Sequence, residues 1–306
     1  MIAVVCPGQG SQKPGFLAPW LEVEGVEEQL TKLSTAAELD LIHFGTEADE
    51  ETIKDTAVAQ PLIVAAGIVA GTMLLRSDSF DPARTVFAGH SVGEVTAAAL
   101  TGVLTEEEAM QFIRVRATGM AQAAAVAPSG MSAVLGGIED DVRAAISDGG
   151  LTAANSNGGG QIVVAGSLER LKAFAENPPA KTRVIPLKVA GAFHTDFMKD
   201  AQEPLQDFAQ ALQPQNPQAT LLTNFDGSQI TTGPAVLESL VAQIVRPVRW
   251  DLCMQTMGKL NVETIIELTP SGTLVGLAKR ALKGKKGIAL NVPEDLLKAT
   301  AVYSAS

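Results

Sequence analysis

Cysteine, histidine and positive charge are all scarce in this chain, and each shortage excludes something. Two of its 306 residues are cysteine. Cys6 and Cys253 are isolated, without CxxC or metal-ligand spacing, so the sequence offers neither a disulfide scaffold nor a metal site and the two read as packed core thiols. Basic residues number 23 against 34 acidic ones, a formal net charge of -11. That balance argues against nucleic-acid binding, and it would repel an acidic protein partner except where basic residues are grouped. Long apolar runs are wanting too: no stretch reads as approaching the length that spans a bilayer. The opening Met1-Ile2-Ala3-Val4-Val5-Cys6-Pro7-Gly8 has no basic start and reads as a core strand ending in a turn, not as a signal peptide. A cytoplasmic protein with no membrane partner is the expectation.

What is present is an ordinary globular composition, 46% hydrophobic and 19% charged, long enough for one large domain or two moderate ones. Short apolar runs alternate with helical patterns over the first 120 or so residues: a strand at 2 to 6, helix around 48 to 76, a strand at 85 to 89, and helices from 91 and 105. This alternation predicts a parallel sheet covered by helices, with functional residues at the carboxyl ends of its strands. From about 130 the order becomes strand, helix, strand, strand, helix, strand, ending near 188, which is the βαββαβ signature of a ferredoxin-like unit. The larger rhythm then returns, with strands at 219 to 223, 263 to 267 and 287 to 292, and the last dozen residues read as a loose tail. The expected organisation is a large α/β domain over 1–125 and 193–306 with a small domain, 126–192, inserted into it.

One stretch carries chemistry. Gly89-His90-Ser91-Val92-Gly93 is a GxSxG pentapeptide between the apolar run Thr85-Val86-Phe87-Ala88 and the helical run Glu94-Val95-Thr96-Ala97-Ala98-Ala99-Leu100. A serine on so sharp a strand-to-helix turn is held clear of the sheet, and glycines flank it because a Cβ would clash in the bend. The helix behind it directs free N–H groups at any anion that forms on the reacting group. Ser91 is thus the candidate nucleophile for acyl transfer, and it needs a base. His90 is adjacent and leaves the backbone in another direction, so it reads as a structural anchor of the turn. His43, in an apolar segment, reads as partly buried and satisfied. His194 follows the inserted unit, where the chain re-enters the large domain and can face the serine; it is the candidate base, with His43 second. Asp196, Asp200 and Glu267 offer a third member without any being compelling, and an uncharged acceptor would also fix the imidazole tautomer.

Arg116 falls on the apolar stripe of a helix, with Ala109, Phe112, Ile113 and Met120 at spacings of three and four, whereas Arg114 points nearly opposite. A guanidinium on a core-facing stripe needs a partner. An internal salt bridge and a fork for a substrate carboxylate both satisfy that need. The loop Pro7-Gly8-Gln9-Gly10-Ser11-Gln12 lacks the lysine of a P-loop and the spacing of a dinucleotide fingerprint. A main-chain N–H from it, beside that of Val92, would make an oxyanion hole.

These motifs in this order resemble the malonyl-CoA:acyl carrier protein transacylases of fatty acid synthesis and the related acyltransferase domains of polyketide synthases, over nearly the whole chain. The likeness rests on the loop at 7 to 12, Gly89-His90-Ser91-Val92-Gly93-Glu94, Arg116, Asn155-Ser156-Asn157, the run from Gln161 to Gly166, Ala192-Phe193-His194 and Pro247-Val248-Arg249-Trp250. The resemblance implies a hydrolase-like large domain carrying the ferredoxin-like insert. It implies Ser91 as nucleophile, His194 as base, the Gln9 and Val92 N–H groups as oxyanion donors, and Arg116 as clamp for the malonyl carboxylate. An oxygen of Gln243 would orient the imidazole, and Asn155, Asn157 and Gln161 would lie near the pantetheine path. Val92 and Phe193 favour malonyl over methylmalonyl. The reaction implied is transfer of malonyl from malonyl-CoA to acyl carrier protein through a malonyl-serine, by a monomer without metal or bound cofactor. Two positions depart from the pattern: Arg246 replaces the usual asparagine and Val92 the commoner leucine. Lys279, Arg280, Lys283, Lys285 and Lys286 form one dense basic cluster that an acidic carrier would fit, with Arg246 and Arg249 as a second possibility. Three alternatives stand beside this reading: a plain serine esterase, which would need no Arg116 on the stripe; a transacylase serving a polyketide or malonate-decarboxylase system, which would share every motif and differ in partner; and a non-catalytic scaffold, which would be expected to lose Ser91 or His194.

Overall fold

The structure is a computed structural model in which residues 1–304 are described. Ten strands are found among them: β1 (Ile2–Cys6), β2 (Thr85–Gly89), β3 (Ser129–Gly136), β4 (Thr152–Gly158), β5 (Gln161–Ser167), β6 (Thr182–Pro186), β7 (Thr220–Leu222), β8 (Gln229–Ile230), β9 (Thr264–Glu267) and β10 (Lys286–Ala289). Six form the larger sheet in the order β10-β9-β1-β2-β7-β8. It is parallel except for β8, which pairs antiparallel with β7. β1 and β2 are buried throughout. Their continuous apolar runs follow from burial on both faces: Ile2, Val4, Cys6 and Phe87 enter one core, Ala3, Val5, Val86 and Ala88 the other. The β1/β2 register pairs Ile2 with Thr85 and Cys6 with Gly89. Both strands therefore end at one level, and the loop after Cys6 lies beside the turn after Gly89.

The smaller sheet has the order β4-β5-β3-β6 and is antiparallel. With the helices Glu139–Asp148 and Leu168–Glu176 it is a ferredoxin-like βαββαβ unit between Ser129 and Pro186. Its helix-covered face holds Val134, Val142, Ile146, Val164 and Phe174, while Met131, Ala154, Val163 and Ala165 join the core of the large sheet. The fold is thus α/β, with a mostly parallel sheet and a separate antiparallel one. Two main-chain bonds tie β4 to the larger unit, Ser156 N–H to the Val248 carbonyl and Val248 N–H to the Ala154 carbonyl, both 2.8 Å.

Several expectations are corrected. Thr56–Leu75 is a 20-residue helix of mean hydropathy 2.0, long and apolar enough to cross a membrane, contrary to the reading that no stretch comes near it; here its most apolar window is 78% buried inside the protein. It packs against the helices Gly93–Leu100 and Glu106–Val126. The loose tail is largely a helix, Leu296–Ser304, with Ala299 and Tyr303 buried; its last two residues lie outside the described ones. The expected strands at 182 to 188 and 287 to 292 end earlier, at Pro186 and Ala289.

Candidate active site

β2 delivers Ser91 at the carboxyl edge of the sheet with a φ of 52°, the left-handed conformation of a nucleophile elbow. The flanking glycines are obligatory. A Cβ on Gly89 would fall 1.9 Å from the Gly93 carbonyl carbon, and one on Gly93 would fall 2.2 Å from the Cys6 carbonyl oxygen. Asn224, just beyond β7, holds the elbow from the other side. Its Oδ1 accepts the Ser91 N–H at 2.8 Å and its Nδ2 donates to the Gly89 carbonyl at 2.6 Å.

His194 also has a positive φ, 62°, in a turn tied down by Thr195 Oγ1 donating to the Ala192 carbonyl and Ala192 N–H donating to Ser129 Oγ. Two such residues facing each other are a concentration of backbone strain of the kind found at functional sites. His194 Nε2 lies 2.7 Å from Ser91 Oγ, and Nδ1 lies 2.9 Å from the main-chain carbonyl of Gln243. A carbonyl only accepts, so Nδ1 carries the proton and Nε2 offers its lone pair to the serine. Burial, reinforced by the Arg116 charge, lowers the imidazole to about 3. It is held neutral and ready to accept a proton.

The other candidates separate cleanly. His90 Nε2 pairs with Asn157 Oδ1 at 2.9 Å, and its ring meets Trp250 edge-on, so it links the elbow to β4. His43 is exposed, not partly buried; it stands beside Glu47 at 3.4 Å, away from Ser91. Glu267 accepts N–H bonds from Gly272, Leu274 and Val275 and caps a helix. Asp196 pairs with Lys199 at the surface, and Asp200 is exposed. The imidazole is oriented by an uncharged oxygen.

Arg116 is 1% exposed, yet no carboxylate lies within 4 Å of it among the described residues. The internal salt bridge is therefore absent. Its NH1 donates to Gln60 Oε1, its NH2 donates to Gln243 Oε1 at 2.8 Å, and the same NH2 stands 3.5 Å from Ser91 Oγ. Its Nε has no partner. Neutral acceptors thus hold a guanidinium whose charge is not cancelled. Burial lowers it, to about 10, against the pull of Glu94, so it stays protonated at neutral pH. Arg114 instead faces outward to Glu38 at 3.1 Å.

In front of these groups is a cavity of about 210 Å³ between the two sheets. Gln9, Val92, Phe193, Asn155, Asn157 and Gln161 line it together with Ser91 and His194, and the N–H groups of Gln9 and Val92 make no hydrogen bond among the described residues. Arg116 and Gln243 lie behind this wall. Three residues were missed from sequence: Gln60, Asn224 and Glu94. A glutamine in the apolar run Val58-Ala59-Gln60-Pro61-Leu62 and a glutamate opening an otherwise apolar helix were the available signals; Asn224 had none beyond its place after a strand.

Fold and site together define an α/β enzyme of the acyl-transferring class. The chain belongs to the acyl transferase domain family, which matches residues 3–295, and it is an acyltransferase. It is 47% identical over 296 residues to the malonyl CoA-acyl carrier protein transacylase of Mycobacterium tuberculosis strain H37Rv, covering 97% of this chain and 98% of that one. The crystal structure of MCAT from Mycobacterium tuberculosis superposes with a TM-score of 0.95, covering 98% of this chain and 99% of that one. A malonyl-transacylase solved in complex with its type II PKS acyl-carrier protein is 26% identical, with a TM-score of 0.92 over 98% of this chain and 99% of that one.

Proposed function

We propose that the protein transfers malonyl from malonyl-CoA to the pantetheine thiol of an acyl carrier protein through a malonyl-Ser91 intermediate. The observation that carries this reading is that one oxygen, Ser91 Oγ, has His194 Nε2 at 2.7 Å and Arg116 NH2 at 3.5 Å. The base and a positive charge converge on the same nucleophile. His194 takes the serine proton as Oγ attacks the thioester carbonyl, and the oxyanion forms against the free N–H groups of Gln9 and Val92. Coenzyme A leaves as its sulfur takes the proton from Nε2, which returns His194 to its neutral form. In the second half His194 deprotonates the carrier thiol, which attacks malonyl-Ser91, and Nε2 gives that proton to Oγ as the serine is released. The malonyl carboxylate meets Gln60 at the cavity wall and takes over the guanidinium edge that Gln60 holds, while Gln243 keeps its bond. Val92 and Phe193 close the acyl end of the cavity, and Asn155, Asn157 and Gln161 border the path of the pantetheine arm. An acid partner suits the exposed cluster of Lys279, Arg280, Lys283, Lys285 and Lys286, none of which has a carboxylate within 4 Å among the described residues. Arg249 is less suited, being paired with Asp251 at 2.8 Å.

Intact mass after exposure to malonyl-CoA tests the reading. A malonyl adduct is expected on the wild type and not on Ser91→Ala, and adding carrier protein should discharge it. With Arg116→Ala, the preference for malonyl over acetyl should fall by one to two orders of magnitude, as loss of a charge-assisted contact of about 1.5–3 kcal/mol implies. Absence of the adduct on the wild type overturns the function.

A further inference from the structure

Glu94 is a buried carboxylate that no step of this reaction uses. It stands in the first turn of the elbow helix, 6% exposed, with both oxygens engaged: Oε1 accepts the Asn224 main-chain N–H at 2.6 Å, and Oε2 accepts from Gln243 Nε2. Burial pushes it up to about 7, opposed by these two bonds and by the Arg116 charge. Each partner grips the site in turn. Asn224 holds the Ser91 N–H and the Gly89 carbonyl. Gln243 holds His194 through its main-chain carbonyl, the Ser91 carbonyl through Nε2 at 3.0 Å, and Arg116 through Oε1.

The Gln243 amide is the decisive link. It has a donor end and an acceptor end, and a half-turn of the side chain exchanges them. Glu94 Oε2 accepts from the Gln243 Nε2, and a guanidinium only donates, here to Oε1 of the same amide. With Glu94 on one side and Arg116 on the other, a single amide orientation satisfies both neighbours. We propose that Glu94 is a positioning residue for acyl selection: by fixing the Gln243 amide it keeps Arg116 aimed at Ser91, so that a carboxylate-bearing acyl group is preferred over a neutral one. The inference rests on the malonyl transfer proposed above. It also accounts for an acid kept one glutamine away from the arginine: Glu94 fixes the guanidinium without occupying the edge that the substrate uses.

The test is the ratio of kcat/KM for malonyl-CoA to that for acetyl-CoA. Glu94→Gln keeps the shape but allows the facing amides to pair in either sense. Its ratio is expected to fall about tenfold, chiefly through a raised KM for malonyl-CoA. Gln243→Leu retains the main-chain carbonyl that holds His194 and should lower the ratio equally. In the double variant the ratio should fall no further than in Gln243→Leu alone, because both changes break one relay. The inference is overturned if Glu94→Gln keeps the wild-type ratio, if it lowers malonyl and acetyl transfer in parallel as a purely structural role would, or if the two effects multiply. Should Glu94→Gln fail to fold, Gln243→Leu decides alone, an unchanged ratio counting against the relay. A wild type that transfers no malonyl sinks the function and is distinguished by its missing adduct.

Discussion

His194 suits the base of the proposed transfer because of where its ring sits. An ordinary imidazole titrates near 6.5, whereas burial and the neighbouring guanidinium hold this one at about 3. It stays unprotonated across neutral pH and far into acid. The acid limb of kcat/KM for acyl-enzyme formation is therefore expected well below pH 6, and an inflection at 6.5 would contradict the geometry. The same shift has the opposite effect on stability. Between about 3 and 6.5 the unfolded histidine binds a proton that the folded one refuses, so its contribution to stability falls as pH drops through that window. Glu94, raised to about 7 from 4.5, runs the other way: the folded state holds its proton more tightly, and that contribution is lost as pH rises from 4.5 through 7.

The elbow is an element whose shape depends on two missing methyl groups. The Cβ of an alanine at position 93 would sit 2.2 Å from the Cys6 carbonyl oxygen, and at position 89 it would sit 1.9 Å from main-chain carbon. Backbone at the end of two central strands has nowhere to move. Gly93→Ala is expected to destabilise by about 3 kcal/mol or more, or to prevent folding, as measured by chemical denaturation. Gly276→Ala is the control: it lies within the helix Thr273–Ala281 with no atom within 4 Å of the added Cβ, and it should stabilise by about 0.5–1 kcal/mol. At this scale much was legible in advance. Strand–turn–helix around Ser91, the stripe that turns Arg116 inward and the βαββαβ order follow from periodicities of two and 3.6, which local sequence carries. The helix Thr56–Leu75 falls inside the stretch expected to be helical around 48 to 76, but the apolar length of that stretch was not read from it. Within it Gln60 faces Arg116, and Pro61 lies inside the helix.

For the whole molecule, charge is the feature that bears on partners. A chain with a formal net charge of -11 would meet the acidic carrier proposed above only through a local exception, and the exposed basic residues between Lys279 and Lys286 provide one. Arg280 reaches Gln161 Oε1 at 3.4 Å, which sets the cluster beside the cavity. Charge reversal of Lys279, Lys283 and Lys285 is expected to lower kcat/KM for the carrier about tenfold or more at low ionic strength and to flatten its salt dependence. Unchanged kinetics and an unchanged salt slope would exclude docking there.

Sequence alone determined the chemistry that travels along the chain: the elbow with its serine, the histidine after the insert, the arginine on an apolar stripe and the order of strands and helices. These are local or periodic features, and their cause is the geometry of a strand or a helix. Tertiary structure alone decided what surrounds them. The charge of Arg116 is met by two glutamines instead of an acid. The histidine is oriented by a main-chain carbonyl, and Glu94 reaches Gln243 and Asn224 from far away in sequence. Such contacts depend on which strands lie side by side and at what register, and burial then sets how strongly each charge is felt. No spacing along the chain encodes either quantity.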